Sequence, residues 1–203
     1  MKKYKNIIFD LGGVLIDWNP DYVYKEVFKD EKKMAWFYRE ICTMDWNENQ
    51  DAGYPLAKAT EERVALFPQY ESWIRMYYGR WEEMLGDQIN ASVSLLQQCI
   101  AVSDLKVLAL TNWNAETFPK ALEKFDFLQW FDGIVVSGDE KTRKPFPEIY
   151  QTTLNRYQLK AKETVFIDDN LRNVKAAQGM GIHGIHFLSP KQLKKDLVEL
   201  NII

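Results

Sequence analysis

Thr164-Val165-Phe166-Ile167-Asp168-Asp169-Asn170 is a short apolar run that stops abruptly on two adjacent carboxylates and an amide. The run through Ile167 suits a strand buried on both faces of a parallel sheet. Helical character follows from Asn170 to Gln178 and ends at Gly179, a normal helix stop. A second apolar run, His183 to Phe187, then completes one strand-helix-strand unit. Working outward, further runs of the same kind lie at Leu105 to Leu110, Gly133 to Val136 and Asn6 to Phe9. Amphipathic helices are expected at Ala115 to Phe127, at Pro147 to Tyr157 with proline in the first turn, and at Leu193 to Leu200. Strand alternating with helix specifies an α/β fold built on a doubly wound parallel sheet.

One interval breaks the rhythm. Between the first and second strands lie about ninety residues, where a crossover needs only one helix. Helical segments are expected within it at Asp21 to Phe28, Lys33 to Cys42, Tyr54 to Phe67, Gln69 to Leu85 and Ala91 to Val102, punctuated by Pro20, Gly53, Pro55, Pro68 and Gly86. The last of these returns the chain to the sheet. The expected organisation is an α/β core from residues 1–15 plus 87–203, and a helical cap domain from residues 16–86.

The bulk properties narrow the partners. The 203 residues carry a net charge of -3 and a pI near 5.5, so they lack the basic field on which nucleic-acid affinity rests. The basic start is followed only by Ile7-Ile8-Phe9, too short for a signal segment, and no stretch approaches the roughly 18 apolar residues of a membrane span. Cys42 and Cys99 lie far apart without metal-ligand spacing and read as free thiols. The expectation is a cytoplasmic monomer or homodimer with no membrane and no nucleic-acid partner.

Ligands of open α/β sheets bind beyond the carboxyl ends of the strands. There the chain places Asp10, Thr111-Asn112, Ser137-Gly138 and Asp168-Asp169-Asn170, with Lys144 in the stiff segment Arg143-Lys144-Pro145-Phe146-Pro147. Each alone reads equally as a helix cap or turn residue. Together they read differently, because carboxylates gathered from separate strands repel unless a cation or a shared proton intervenes. A hard divalent ion on oxygen ligands answers that need.

In their order, Phe9-Asp10-Leu11-Gly12-Gly13-Val14-Leu15, Leu108-Ala109-Leu110-Thr111-Asn112, Arg143-Lys144-Pro145 and Phe166-Ile167-Asp168-Asp169-Asn170 resemble the four motifs of the haloacid dehalogenase superfamily, helical-cap branch, and span nearly the whole chain. The resemblance implies a Rossmann-like core and a magnesium-dependent phosphatase acting on a small phosphorylated metabolite. It makes Asp10 the nucleophile that forms an aspartyl-phosphate. It makes Asp10, the Gly12 carbonyl, Asp168 and Asp169 the metal site, with Asp168 binding directly or through water. Thr111 would bind a phosphate oxygen, helped by backbone N–H groups at Asn112 and Trp113 where the next helix begins, and Lys144 would neutralise phosphate and nucleophile.

One position departs from the pattern. Most phosphatases of this superfamily carry a second Asp two residues after the nucleophile as general acid, and here Gly12 stands in that place. Asp17, water, or a leaving group able to depart unaided are the alternatives. The gap also admits a 2-haloacid dehalogenase, against which the Asp168-Asp169 pair counts, or a binding module without turnover. Within the insertion, Asp45 to Gly53 reads as a solvated turn or as a wall that brings Trp46, Asn47 and Gln50 to the leaving group. Trp18 and Trp113, which follow the first and second motifs, are core or pocket wall.

Overall fold

The structure, a computed structural model, describes residues 3–203; Met1 and Lys2, which open the basic N-terminal stretch, lie outside the described residues. The chain starts with strand β1 (Asn6–Phe9) and a short strand β2 (Ile16–Trp18). Helices α1 (Asp21–Val27), α2 (Glu31–Trp36), α3 (Met44–Asp51), α4 (Leu56–Leu66), α5 (Glu71–Gly79) and α6 (Trp81–Met84) follow. Strand β3 (Leu85–Gln88) and helix α7 (Asn90–Ile100) lead back to the sheet. The chain then alternates through β4 (Lys106–Thr111), α8 (Phe118–Lys124), β5 (Gly133–Val136), α9 (Ser137–Glu140) and α10 (Pro147–Arg156). It closes with β6 (Thr164–Asp168), α11 (Leu171–Gly179), β7 (His183–His186) and α12 (Pro190–Glu199).

The five expected strands pair in parallel in the order β5-β4-β1-β6-β7. Period-two alternation gives each face its own core. Ile7, Phe9, Val107, Ala109, Val165 and Ile167 pack with Leu96 of α7 and Leu193 and Leu197 of α12. Ile8, Leu108, Leu110 and Phe166 face the other way, onto Ile149, Tyr150 and Ala177 of α10 and α11. Because β1 is central, with Phe9 opposite both Ala109 and Ile167, the residues that leave β1, β4 and β6 emerge side by side.

The helices between β2 and β3 bury a third cluster of their own, built on Val23, Tyr24, Phe37, Ile74, Tyr77 and Met84. Their connection to the sheet differs from the helix expected to run through Leu85. β2 and β3 form an antiparallel ribbon with Ile16 opposite Gln88 and Trp18 opposite Leu85. Gly86 permits the close pairing, since a Cβ there would lie 2.8 Å from a carboxylate oxygen of Asp17.

Two further segments depart from expectation. The helix anticipated from Ala115 starts only at Phe118: Asn114 makes a turn, its Oδ1 accepting from the Glu116 N–H at 2.8 Å, while its Nδ2 donates to the carbonyls of Gln50 (2.5 Å) and Tyr54 (3.2 Å). The Asn- and Asp-rich stretch from Asp45 is no turn: Thr43 caps α3 by accepting from the Trp46 N–H at 3.1 Å, and the helix runs to Asp51. Its buried polar side chains, Asn47, Glu48 and Gln50, are tolerated because each finds a partner elsewhere in the fold.

Candidate active site

Asp10 is the first residue beyond β1, and its N–H donates to the Ile167 carbonyl at 2.8 Å, which fixes its backbone against β6. Its carboxylate accepts from the Leu11 N–H at 2.8 Å and from Lys144 Nζ at 2.8 Å. Lys144 is completely buried. Its ammonium also donates to Asp168 Oδ2 at 2.7 Å and to the Leu110 carbonyl at 3.1 Å, so all three protons are used. Asp168 is held further by the Asn170 N–H at 2.8 Å and by Asn173 Nδ2 at 3.1 Å to both oxygens.

Asp169 points to the open side of the same cluster. A Cβ at Gly13 would stand 2.5 Å from its Oδ2, and Gly13 has φ +73°, so only glycine allows the loop after β1 and this carboxylate to approach. Asp10, Asp168 and Asp169 each offer an oxygen, all within 4.8 Å of one another. An all-oxygen donor set of this kind fits a hard divalent cation.

The electrostatics follow from this crowding. Burial holds the Asp10 carboxyl well above the usual carboxylate range; Asp168 and Asp169 add to the effect, and Lys144 opposes it. Burial works against the Lys144 charge, but Asp10 and Asp168 outweigh it and hold the proton above the ordinary lysine value. Burial and then Asp168 raise Asp169, again against Lys144. The protein alone therefore under-compensates its carboxylates.

The cluster forms the floor of a cavity of about 240 Å³. Gly12, Trp18, Asn47, Asn112 and Trp113 line it with Asp10, Lys144 and Asp169. Thr111 ends β4, the strand next to β1, and is 1% exposed; Asn112 after it, not Thr111 itself, is among the residues lining the cavity. Asn112 spends its amide on the Lys144 backbone, donating to the carbonyl (3.0 Å) and accepting from the N–H (2.8 Å), so it clamps the loop that delivers the lysine. The Trp113 N–H, anticipated as a phosphate donor, is taken by the Ser137 hydroxyl at 2.9 Å.

Trp46 and Gln50 are not brought to this cavity. The turn of α3 directs them into a separate hollow with Tyr54, Arg63 and Leu66, where Trp46 packs on Tyr77 and Tyr78 and Gln50 reaches Tyr78. Asp17 is also turned away, bound by the Tyr22 hydroxyl at the ribbon.

The wall facing Asp10 contains groups that the chain's order did not disclose. Glu48 of α3 pairs with Arg143 at 2.7 Å, in the loop before α10, and with Arg172 at 2.5 Å, in the first turn of α11. Asp51 lines the cavity one helical turn further on, and Tyr78, Trp81 and Met44 add apolar surface beside Trp18 and Trp113. Burial, then Glu48, push the Asp51 carboxyl up to about 7 against Arg143 and Lys144. The available signal was the i, i+3/i+4 spacing of Asn47, Glu48 and Asp51 on one helix face, legible only once Asp45 to Gly53 is read as helix.

Comparison with known proteins agrees with this arrangement. The profile for haloacid dehalogenase-like hydrolases matches residues 7–187. A sesquiterpene phosphatase of Aspergillus oryzae is 31% identical over 90% of this chain and 89% of its own length. A phosphorylated carbohydrates phosphatase of Thermotoga maritima is 25% identical over 89% of this chain and 83% of its own. Among solved structures, a haloacid dehalogenase family enzyme of Bacteroides thetaiotaomicron, crystallised with magnesium and inorganic phosphate, superposes with a TM-score of 0.67 at 23% identity, covering 90% of this chain and 93% of that one. With the four motifs folded onto one cavity and the match running almost end to end, the chain belongs to the haloacid dehalogenase-like hydrolase family.

Proposed function

We propose that this chain hydrolyses phosphate monoesters of small alcohols or phenols, with Asp10 as nucleophile and the helical insertion, residues 16–86, as a cap over a core formed by the remainder. The observation that carries the reading is the buried Asp10–Lys144–Asp168 array opening onto Asp169 at the cavity floor. A dehalogenase has no use for so many carboxylates, whereas a phosphatase needs them to hold a cation beside its nucleophile.

In this reading Asp10, the Gly12 carbonyl and Asp169 would hold magnesium, with Asp168 in the same cluster orienting the site through Lys144 and Asn173. When bound, magnesium supplies the positive charge that lets these carboxylates share the cavity with a phosphate. Asp10 attacks phosphorus and the ester P–O bond breaks, leaving an aspartyl-phosphate; water then attacks phosphorus and frees Asp10. Lys144 favours the ionised form of Asp10 against burial and offsets charge on the phosphate, Thr111 donates its hydroxyl to a phosphate oxygen, and Asn112 keeps the lysine loop in place. Trp18, Trp81, Trp113, Tyr78 and Met44 favour an apolar or aromatic leaving group, and the likeness to a sesquiterpene phosphatase supports the same choice.

The test is an aryl phosphate assay with magnesium and with chelator. Turnover is expected only with the metal, and Asp10→Asn is expected to abolish it while the folded protein persists. Undiminished turnover in Asp10→Asn would overturn the assignment.

A further inference from the structure

Gly12 removes the proton donor that an alcohol leaving group requires, and the carboxyls of the cavity can be sorted by what already occupies them. Asp10 and Asp168 share Lys144. Asp169 belongs to the cation cluster. Glu48 is tied to two arginines and serves only as an acceptor. Tyr78 donates its hydroxyl to Asn47 at 3.0 Å and is, chiefly through burial, far above any useful acidity. Asp51 is what remains: among the described residues no salt bridge reaches it, and its side chain accepts only from Asn47 Nδ2, at 3.3 Å.

Its position is built rather than incidental. The Ser137 hydroxyl, just beyond β5, donates to the Asp51 carbonyl at 2.5 Å, and Asn114, beyond β4, donates to the carbonyl of Gln50 at 2.5 Å. These contacts pin the end of α3 to the ends of β4 and β5, the first of which carries Thr111. We propose that Asp51 is the general acid–base of this cavity, replacing from the insertion the acid that Gly12 lacks; the inference rests on the phosphatase reading above.

The step balances. As the Asp10 oxygen bonds to phosphorus and the ester P–O bond breaks, the leaving oxygen takes the Asp51 proton and departs as the alcohol. In the second half, water bonds to phosphorus, the bond from phosphorus to Asp10 breaks, and the Asp51 carboxylate receives the water proton, which resets it. The groups facing Asp51 set its affinity for that proton. Glu48 on its own helix raises it, Arg143 and Lys144 oppose, and burial, the largest influence, holds the carboxyl near 7. Tyr77 and Tyr78 of α5 also face it, and Lys141 lies beyond at the Gly53 carbonyl.

The experiment compares hexyl phosphate, a poor leaving group, with dinitrophenyl phosphate, which departs without protonation. Asp51→Asn is expected to lower kcat/KM for the hexyl ester by about 10²- to 10³-fold and for the dinitrophenyl ester by less than about threefold. Gly12→Asp added to that variant is expected to recover at least roughly tenfold on the hexyl ester, because a Cβ at Gly12 meets nothing within 4 Å. In the wild-type protein, hexyl phosphate turnover should fall as pH rises through about 7 while dinitrophenyl phosphate turnover does not. Equal losses on both esters, or loss on neither, would overturn the assignment, as would identical wild-type pH profiles if the variant does not fold. A wild-type protein inert on both esters with magnesium would instead overturn the phosphatase reading itself.

Discussion

Lys144→Met retains the length and apolar stem of the side chain and deletes one charge. The buried ammonium joins Asp10 and Asp168, so its removal leaves two buried carboxylates without their shared counter-charge. Breaking a buried ion pair in this way costs about 3–5 kcal/mol. Proton uptake sets the ceiling. Asp168 keeps its donors from Asn170 and Asn173, so one proton suffices to relieve the pair. At pH 7, protonating a carboxyl of ordinary pKa about 4 costs three steps of about 1.4 kcal/mol, or about 4 kcal/mol, and at pH 5 about 1 kcal/mol. For a chain of this size about 1 kcal/mol moves Tm by about 2–4 °C. Calorimetry in chelator should therefore show Tm lowered by about 8–16 °C at pH 7 and by about 2–4 °C at pH 5. The reasoning fails if the loss is the same at both pH values, or is below about 3 °C at pH 7.

Three further outcomes follow from the geometry. Gly13→Ala places a Cβ 2.5 Å from Asp169 at φ +73°, so stability should fall by about 1–3 kcal/mol and magnesium affinity, read by isothermal calorimetry, should weaken; unchanged affinity would remove Gly13 from the cation site. Glu48→Gln unlinks α3 from Arg143 and Arg172. With Arg172 half exposed, the loss is roughly 1–3 kcal/mol, to be read as amide exchange over residues 47–51 accelerated at least about fivefold. Asp51 has a folded pKa raised from 3.8 to about 7, so the folded chain binds more protons than the unfolded one between those values, and stability falls as pH rises across that window. Between pH 5 and 8 the wild type should lose about 2–3 kcal/mol more in urea titrations than Asp51→Asn; parallel curves for the two proteins would contradict the shift.

The strands were legible because a parallel sheet buried on both faces demands uninterrupted apolar runs, and Asn6–Phe9 and Thr164–Asp168 are such runs. The carboxylates and Lys144 were legible for a related reason: polar residues at the carboxyl ends of buried strands have few structural uses. The helix α3 was not, since its Asn and Asp residues have turn propensity and the helix is held by tertiary partners, Tyr78 on Asn47, Arg172 on Glu48 and Asn114 on the Gln50 carbonyl. Nor was the ribbon of β2 and β3, where a three-residue run gives no periodicity to read.

The sequence by itself therefore determined the sheet, the existence of an insertion and the residues gathered at the cavity floor, because each is dictated by local hydrophobic pattern and strand order. Only the tertiary structure decided which face of α3 meets that floor, turning Glu48 and Asp51 toward Asp10 and Trp46 and Gln50 away. The physical reason is that the orientation of α3 is set by hydrogen bonds from Asn114 after β4 and from Ser137 at the start of α9, contacts between residues some 60 to 90 positions apart that no local pattern encodes.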